Sequence, residues 1–313
     1  MSDYIATRDA YGQALAELGR SDGRIVVLDA DLSGSTKTGI FKNEFPQRHF
    51  NAGIAEMNMA GMAAGMAVSG KIPFISSFAV FGTGRIYDMI RNSIAYPKLN
   101  VKLAMTHSGL SVGEDGASHQ MLEDIALMCA LPNMTVFVPA DAEEARQMVF
   151  EAARIDGPVY IRLGREKAVP VFNEHYDFTP SNIHIVKDGS DVVLAACGIM
   201  TAKAIEAAER LKEDNISAAV LNFSSLKPVD AFNLIAYAKK TYAVITCEEH
   251  SVYGGLHSIV SQILAQNAPT IVEAVAVDDS FGESGKPEEL LVKYSLTTDE
   301  IIKKTKAALR KAL

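Results

Sequence analysis

Short apolar runs alternate with longer amphipathic segments along the first half of the chain. The runs are rich in β-branched and aromatic residues, which is typical of strands buried on both faces of a parallel sheet. The segments between them repeat apolar residues at the helical period, and one has Asp141 as its expected cap with Glu144 three residues later. The pattern predicts strands over 24–28, 73–77, 101–105, 135–138 and 159–163, and helices near 8–19, 55–69, 84–95, 119–130 and 142–155.

The same alternation resumes after residue 190. Between 166 and 190 the pattern lapses among prolines, asparagines and aspartates, so we predict a first domain over 1–170, a linker over 171–189 and a second domain over 190–313. Repeated strand–helix alternation predicts an α/β protein with two doubly wound, mostly parallel sheet domains. In the second domain the pattern predicts strands over 191–197, 216–223, 242–247 and 271–277, and helices over 201–213, 230–239 and 255–265.

Charge and cysteine content narrow the class of protein. The formal net charge is −8, so the chain has no basic excess to neutralise nucleic acid phosphates. No apolar run approaches the roughly 18 residues that span a membrane, and the amino terminus lacks the basic and apolar regions of a secretion signal. Cys129, Cys197 and Cys247 are scattered inside apolar runs, which is typical of buried thiols. We therefore expect a cytoplasmic protein with no nucleic acid or membrane partner.

Polar and aromatic side chains follow several of the predicted strands of the first domain. Asp31 follows the first strand, Phe78 and Phe81 follow the second, and Arg165 follows the last. Ligands of open α/β sheets bind at the carboxyl ends of the strands. The sequence therefore predicts a binding site at this edge of the first sheet.

The segment 105–120 is the richest of these strand exits in titratable groups. It contains His107, Glu114, Asp115 and His119 among three glycines. Imidazoles can exchange protons near neutral pH and carboxylates can accept from sugar hydroxyls, which favours a catalytic loop. The alternative is a polar turn whose histidines cap backbone groups, and the two interpretations stay open here. We also expect Ser118 to cap the following helix, with His119 in its first turn.

Glu56 stands at the start of an almost uncharged segment, 53–65. Burying a carboxylate costs several kcal/mol unless it is paired or hydrogen-bonded. The carboxylate could bond the free N–H groups of the first helical turn, where the helix dipole favours its ionised form. It could instead be held for a nitrogen of a ligand. Gly61 and Gly65 in the same segment would let another helix approach closely.

Three motifs carry a resemblance to a known family. They are Gly-Ile-Ala-Glu-Met-Asn-Met at 53–59, Ser-Phe-Ala-Val-Phe at 77–81 and Gly-Glu-Asp-Gly-Ala-Ser-His-Gln at 113–120. Together they resemble the second half of transketolase, over essentially the whole chain. The resemblance implies a pyrimidine-binding domain followed by the carboxyl-terminal domain of that family, and thiamine diphosphate as the cofactor. It also implies transfer of a two-carbon ketol unit from a ketose phosphate to an aldose phosphate, with pentose phosphates as the default substrates.

One family motif is absent from the sequence. Transketolases bind the cofactor's diphosphate and its metal ion through a Gly-Asp-Gly sequence, and no Gly-Asp-Gly occurs in this chain. The resemblance therefore implies one subunit of a split transketolase. An amino-terminal transketolase subunit would carry the diphosphate-binding domain and hold most of the Mg²⁺ (or Ca²⁺) ligands. Because the cofactor of this family lies between protomers, the expected assembly is an α2β2 heterotetramer.

On the cofactor side, the resemblance assigns a role to each matching residue. Glu56 would bond N1′ of the aminopyrimidine, which promotes loss of the thiazolium C2 proton. Phe81 would stack on the aminopyrimidine with Phe78 beside it, although Phe78 could equally be a core residue. Asp31 would lie near the cofactor. Many family members have a third aromatic residue where this chain has Gly84.

On the substrate side, the resemblance implies that Asp115 accepts a hydrogen bond from a hydroxyl of the donor. His119 would contact the oxygens of the transferred unit and act with Glu56 and Asp115 as the catalytic set. Arg162 lies three positions before Arg165 and competes with it for assignment to the phosphate-binding set. The residues that match the sugar-phosphate site are Arg8, Ser35, His107 and Arg165.

Two other functions are compatible with the sequence. The β subunit of a 2-oxoacid dehydrogenase or acetoin-cleaving enzyme has a similar length and also lacks Gly-Asp-Gly, but it needs no phosphate site. A non-catalytic homologue that only binds thiamine diphosphate is the other alternative. In the second domain, His250 and Tyr253 follow a strand, and a structural role is favoured for both.

Overall fold

The computed structural model describes residues 4–312 of the chain. Most strands lie within two residues of the predicted ones, because the apolar runs that predicted them are buried along their whole length. In chain order the strands are β1 (Ile5–Ala6), β2 (Ile25–Asp29), β3 (His49–Asn51), β4 (Ile72–Ser76), β5 (Lys102–Met105), β6 (Thr135–Phe137), β7 (Val159–Arg162), β8 (Lys167–Ala168), β9 (His184–Lys187), β10 (Val192–Ala196), β11 (Ala218–Asn222), β12 (Ser225–Lys227), β13 (Ala243–Ser251) and β14 (Ile271–Val277).

Two sheets organise the molecule. The first has the strand order β12-β6-β7-β5-β4-β2-β3 and is parallel except where β12 meets β6. The second has the order β14-β13-β10-β11-β9 and is parallel except where β9 meets β11. The strands β1 and β8 form a separate antiparallel pair. The predicted α/β class with two mostly parallel sheets is confirmed.

A strand from the second half of the chain completes the first sheet. In β12, Ser225 pairs with Phe137 of β6, and the N–H of Val138 donates to the carbonyl of Ser224 at 2.8 Å. The sequence did not predict this strand, because three residues are too few to show the alternation of apolar and polar positions that indicates a strand. The other antiparallel strand, β9, lies inside the segment predicted as a linker.

Helices connect the parallel strands, as a parallel sheet requires. Two π-helical segments, Val80–Arg85 and Ile90–Ala95, account for most of the helix predicted near 84–95. None of the helices in residues 4–312 is long and apolar enough to cross a membrane. The α-helices are α1 (Thr7–Ser21), α2 (Ser33–Thr36), α3 (Thr38–Glu44), α4 (Glu56–Val68), α5 (Tyr87–Met89), α6 (Asp124–Ala130), α7 (Ala142–Arg154), α8 (Met200–Glu213), α9 (Ala231–Lys240), α10 (Leu256–Asn267), α11 (Pro287–Lys293) and α12 (Thr298–Ala312).

One helix cap was predicted correctly and one was not. The side chain of Asp141 accepts from the N–H of Glu144 at the start of α7, as predicted. Ser118 caps no helix, because α6 begins at Asp124, and the Ser118 hydroxyl bonds Nδ1 of His119 instead. The reason lies in Gly116, whose φ of 74° turns the chain so that residues 116–119 form a tight turn.

The first sheet supplies a rigid support for the loops at its edge. Every residue of β2, β4 and β5 is buried, and Phe74 and Tyr160 are among the largest fully buried side chains. Full burial of one large apolar side chain stabilises the fold by about 1.5–3 kcal/mol. Since the strands are fixed in this way, the residues that directly follow them have well-defined positions.

Candidate active site

Parallel strands bring the predicted site residues to one edge of the first sheet. Asp31, Phe78, His107 and Arg165 come directly after β2, β4, β5 and β7, which are neighbours in the sheet. Two of these residues have positive φ, 62° at Asp31 and 58° at His107. Left-handed backbone is uncommon for residues other than glycine and occurs often at functional sites.

His107 lies at the centre of this edge. Its ring stacks on Phe78 with centroids 3.7 Å apart, and its Nε2 lies 3.2 Å from Nη1 of Arg8. Its Nδ1 lies 2.8 Å from the hydroxyl of Thr106. Burial, together with the positive charges of Arg8 and Arg165, lowers the pKa of His107 to about 3. His107 is therefore neutral near pH 7, and we assign Nε2 as the acceptor of the Arg8 proton.

Two arginines and a backbone carbonyl surround the outer side of His107. Nη1 of Arg8 donates to the carbonyl of Ser35 at 3.2 Å, while its buried Nε has no hydrogen-bond partner within residues 4–312. Burial lowers the pKa of Arg8, an effect that Asp9 opposes and Arg165 reinforces. Two guanidinium groups in this proximity repel each other, and a bound anion would relieve that repulsion.

Arg165 lies beside the predicted donor-binding carboxylate. Its Nη1 donates to the carbonyl of Val112 and lies 3.7 Å from Oδ2 of Asp115 and 3.6 Å from Oε2 of Glu114. Both carboxylates are exposed, and the Arg165 side chain is partly exposed. Arg165 can therefore reach a ligand from solvent while it orients Asp115.

Arg162 does not compete with Arg165 for this position. It is buried, and its Nε donates to Oδ2 of Asp124 at 2.8 Å. The same carboxylate accepts from the hydroxyl of Tyr160 at 2.6 Å, and the Coulomb attraction of Arg162 holds the pKa of Asp124 down against the effect of burial. The guanidinium of Arg162 is thus buried and bonded to groups of the protein interior.

Glu56 is buried at the first position of α4, and its carboxylate is paired with a residue that the sequence did not assign to the site. Nη1 of Arg85 donates to both carboxylate oxygens, at 3.0 and 3.1 Å. The guanidinium carbon of Arg85 also lies 4.4 Å from the centroid of the Phe81 ring. Glu56 is only 4% exposed, whereas about half of the Arg85 side chain is exposed to solvent. The carboxylate therefore bonds a planar cation that rests on an aromatic face.

An aromatic cluster joins the Glu56 side of the site to the His107 side. Phe78 and Phe81 stack with centroids 6.0 Å apart, and His119 meets Phe81 edge-on at 5.4 Å. Phe78 is buried, so it both packs in the core and forms a wall of the site. A Cβ at Gly84 would lie no closer than 3.8 Å to any neighbour, so this position leaves room where other members carry an aromatic ring.

Asp31 is tied to the turn before α4. Its N–H donates to Oδ1 of Asn51 at 3.0 Å, and Nδ2 of Asn51 donates back to its carboxylate at 3.0 Å. The same Oδ1 of Asn51 accepts from the N–H of Gly53 at 2.8 Å. Asp31 thus fixes the turn that leads into Glu56 and makes no direct hydrogen bond to the other predicted site residues within 4–312.

Several of the predicted residues contact one another directly. A chain of direct contacts runs from Arg8 through His107 and Phe78 to His119 and Phe81. Ser35 joins this chain of contacts through Arg8, and Glu56 joins it through Arg85. Asp115 lies beside Arg165, whose charge acts on His107. Sequence reasoning missed Arg85, for which the signal was a cation four residues after Phe81. Across residues 4–312, no group of three or more histidine, cysteine or acidic side chains is arranged to hold a metal ion.

Helix α4 and the turn before it carry exposed apolar side chains. Ile54 is 80% exposed, Met57 53% and Val68 75%, although all three are large apolar residues. Gly61 and Gly65 lie on the same helix, and a Cβ added at either glycine would meet no atom closer than 3.6 Å. Apolar patches of this kind mark interaction surfaces in soluble proteins.

Comparison with known proteins identifies the family of the chain. Two family models match the chain: Transketolase, pyrimidine binding domain, over residues 3–170, and Transketolase, C-terminal domain, over residues 181–301. A protein of Methanocaldococcus jannaschii with the provisional name transketolase C-terminal section is 45% identical over 311 residues, which cover 98% of both chains. A 6-deoxy-6-sulfo-D-fructose transketolase subunit of Clostridium sp. (strain MSTE9) is 41% identical and covers 95% of this chain, with 92% of that protein covered.

A solved structure extends the comparison to three dimensions. It is described as a split gene transketolase, inactive beta4 tetramer, and it is similar to this chain with a TM-score of 0.91 at 55% sequence identity. The match covers 99% of this chain and 98% of that one. The agreement of family models, relatives and structure over the whole length shows that the chain belongs to the transketolase family, as a subunit that carries the pyrimidine-binding and carboxyl-terminal domains.

Proposed function

We propose that this chain is the pyrimidine-side subunit of a thiamine diphosphate-dependent transketolase that needs a separate partner subunit for activity. One observation carries the proposal. A single sheet edge presents a buried carboxylate and an aromatic face, at Glu56 and Phe81, together with two arginines around His107. The first pair suits an aminopyrimidine and the second set suits a sugar phosphate.

The residues present fit the cofactor's aminopyrimidine ring. Arg85 already shows that a planar, nitrogen-bearing group can stack on Phe81 and bond Glu56 at the same time. An aminopyrimidine has the same combination of flat face and ring nitrogen. Arg85 is half exposed, so it can swing into solvent when the ring takes its place.

Each residue on the cofactor side then has a defined task. Thiamine diphosphate, when bound, supplies the nucleophilic carbon for ketol transfer, and the protein orients it. Glu56 would share a proton with N1′ of the ring, and Phe81 would hold the ring plane with Phe78 behind it. Asp31 would keep the turn before α4 in place through Asn51.

On the substrate side, some residues would form hydrogen bonds to the sugar and others would bind its phosphate. Asp115 would accept from a hydroxyl of the donor, and His119 would contact the oxygens of the transferred unit. His107, which is neutral, would contact the sugar phosphate without repelling the arginines. Arg8 and Arg165, with Ser35, would bind the phosphate, since guanidinium groups present paired donors to its oxygens. This set disfavours a 2-oxoacid dehydrogenase β subunit, whose substrates carry no phosphate.

A partner subunit would supply the rest of the cofactor site. The chain contains no Gly-Asp-Gly, and the similar solved structure is described as a split gene transketolase. We propose that the amino-terminal subunit holds the diphosphate and the Mg²⁺ (or Ca²⁺) ion in an α2β2 heterotetramer in the cytoplasm. The exposed apolar side chains of α4 and the turn before it support this assembly, because Ile54 and Met57 flank Glu56 in the chain and would be covered by a subunit that shares the cofactor.

The proposal also covers the identity of the sugar substrates. Pentose phosphates are the default donors and acceptors. One relative is a sulfofructose transketolase subunit, and a sulfonate is an anion that Arg8 and Arg165 could equally bind. Retention of both anion-binding arginines and of the Glu56 pair argues against a purely cofactor-binding homologue.

Affinity purification of the chain from its native cells, with mass spectrometry of the bound proteins, tests the proposal. We expect a partner of roughly 270–300 residues with Gly-Asp-Gly and a downstream Asn, as the missing domain would require. The purified complex should then transfer a ketol unit from xylulose 5-phosphate to ribose 5-phosphate with added thiamine diphosphate and Mg²⁺. Activity of the isolated chain would overturn the partner requirement, and co-purification with lipoyl-domain proteins would favour the dehydrogenase.

A further inference from the structure

A carboxylate of the second domain reaches into the loop that carries Asp115. Oε1 of Glu249, near the end of β13, accepts the backbone N–H of Ser111 at 2.6 Å. Glu249 is buried, and Ser111 belongs to the 3₁₀-helical turn Leu110–Asp115 of the first domain. The hydrogen bond therefore joins two domains at a point next to the candidate donor site.

The backbone beside Ser111 is shaped around this carboxylate. Gly109 has a φ of 84°, and a Cβ there would lie 2.2 Å from the carboxyl carbon of Glu249. Real Cβ atoms do not approach other atoms so closely, so any larger residue would displace the Glu249 side chain. The glycine permits both the left-handed turn and the close approach.

The bond at Ser111 is one residue away from the site. The carbonyl of the next residue, Val112, accepts from Nη1 of Arg165. The same turn ends at Asp115, which lies 3.7 Å from Arg165. Any movement of Ser111 would therefore be transmitted to both a phosphate-binding and a donor-binding side chain.

The burial of this carboxylate is unfavourable unless it is compensated. Burial raises the pKa of Glu249, and the charge of Arg162 opposes that rise. Nη2 of Arg162 also donates to the carbonyl of Glu249 at 2.9 Å. A second side chain contacts the same turn: Nε2 of Gln120 lies within hydrogen-bond distance of the carbonyls of Leu110 and Gly113, at 3.3 and 3.2 Å, and of the Glu283 carbonyl, at 2.9 Å.

We propose that Glu249 is a positioning residue of the donor site, which holds the Leu110–Asp115 turn so that Asp115 and Arg165 meet the substrate. The second domain thereby takes part in substrate binding through its hydrogen bond to Ser111. This inference rests on the proposed transketolase function.

Two adjacent buried glutamates, Glu248 and Glu249, allow a matched test. Glu248 is as deeply buried as Glu249, but its oxygens accept from the N–H groups of Leu256 and His257 at the start of α10. Glu249→Met removes the acceptor at Ser111 with little change in volume, and Glu248→Met is its control. Glu249→Gln keeps a carbonyl oxygen that can accept from Ser111.

Hydrogen exchange of the full chain, followed by mass spectrometry, gives a readout that needs no activity. Glu249→Met should speed exchange in peptides covering 108–121 at least tenfold and leave exchange in 255–267 unchanged. Glu248→Met should instead speed exchange in 255–267 and leave exchange in 108–121 unchanged. Glu249→Gln should stay near wild type. Should Glu249→Met fail to fold, Glu249→Asp shortens the side chain by one methylene and carries the same test. Equal exchange of 108–121 in wild type and variant would overturn the proposal.

Kinetics of the assembled complex complete the test. With xylulose 5-phosphate as donor, Glu249→Met should lower kcat/KM at least tenfold while the Kd for thiamine diphosphate changes less than twofold. An equal donor loss in Glu248→Met would show a general loss of stability and overturn the inference. If the wild-type complex turns over no donor but Glu249→Met still loosens 108–121, the contact is supported and the proposed function alone is overturned.

Discussion

Nη1 of Arg85 lies 3.0 Å from Oε1 of Glu56, and the guanidinium of Arg85 rests over the Phe81 ring. The one carboxylate expected to bond the cofactor's ring nitrogen is therefore already paired, and the ring expected to stack on the cofactor is already covered. Binding of the cofactor in the proposed position would therefore displace Arg85 from both.

Arg85→Met should tighten thiamine diphosphate binding to the assembled complex. The ion pair is partly exposed, and such pairs contribute about 0–1 kcal/mol, so the Kd should fall by at most about fivefold. Calorimetric titration of the complex with thiamine diphosphate and Mg²⁺ measures the change. Arg91→Met is the control, because Arg91 lies on the next π-helical segment and its exposed side chain donates to Oδ1 of Asn92. Weaker binding in Arg85→Met would mean that Arg85 assists the cofactor instead.

Glu56→Gln should abolish most activity and leave the fold intact. A glutamine cannot share a proton with N1′, and positioned proton transfer contributes about 10²–10⁴-fold to a rate. We expect turnover of the complex to fall at least a hundredfold with an unchanged far-UV circular dichroism spectrum. Turnover within tenfold of wild type would remove Glu56 from its assigned role.

The sequence predicted the strand-exit residues well, because each follows a run of buried apolar residues that fixes its place. His107 and Arg165 are examples. It did not predict Arg85 in the site, since that contact depends on a side-chain rotamer and on the π-helical turn before it. Ser118 was expected to cap a helix because its residue type favours caps, and the turn at Gly116 overrode that preference.

Contacts between the two halves of the chain were also beyond the sequence pattern. Glu249 follows a predicted strand and has no distinguishing neighbour in the sequence, yet it reaches Ser111. The short strand β12 likewise joins the first sheet from far along the chain. Periodicity reports which face of an element is buried, and it carries no information on which distant segment covers that face.

Asp115→Asn should impair donor use more than cofactor binding. Hydrogen bonds to charged groups contribute about 1.5–3 kcal/mol, so kcat/KM for the donor should fall roughly 10–150-fold. Glu114→Gln is a matched control, since Glu114 also lies beside Arg165, at 3.6 Å. Steady-state kinetics with xylulose 5-phosphate and its C3 epimer ribulose 5-phosphate would measure the loss. A parallel loss of thiamine diphosphate affinity would contradict the assignment to the donor.

His107→Gln should make the stability of the chain less sensitive to acid. Burial, together with the groups that face the ring, Arg8, Arg165 and His119, lowers its pKa from 6.5 to about 3. The unfolded chain therefore binds a proton on His107 between pH 6.5 and 3 that the folded chain does not. The stability that the neutral ring contributes is full above pH 6.5 and is lost as the pH falls towards 3.

Urea unfolding at pH 7.5, 5.5 and 4.5 measures this difference. After allowance for partial solvent screening, we expect the wild type to lose about 1–2 kcal/mol more than His107→Gln between pH 7.5 and 4.5. His250 is buried with a pKa lowered to about 4, so the variant keeps some acid sensitivity. His175→Gln is the control, because that side chain is exposed. Identical pH profiles for wild type and His107→Gln would show that the pKa of His107 is the same in the folded and unfolded chain, which would contradict its lowering by burial and the arginines.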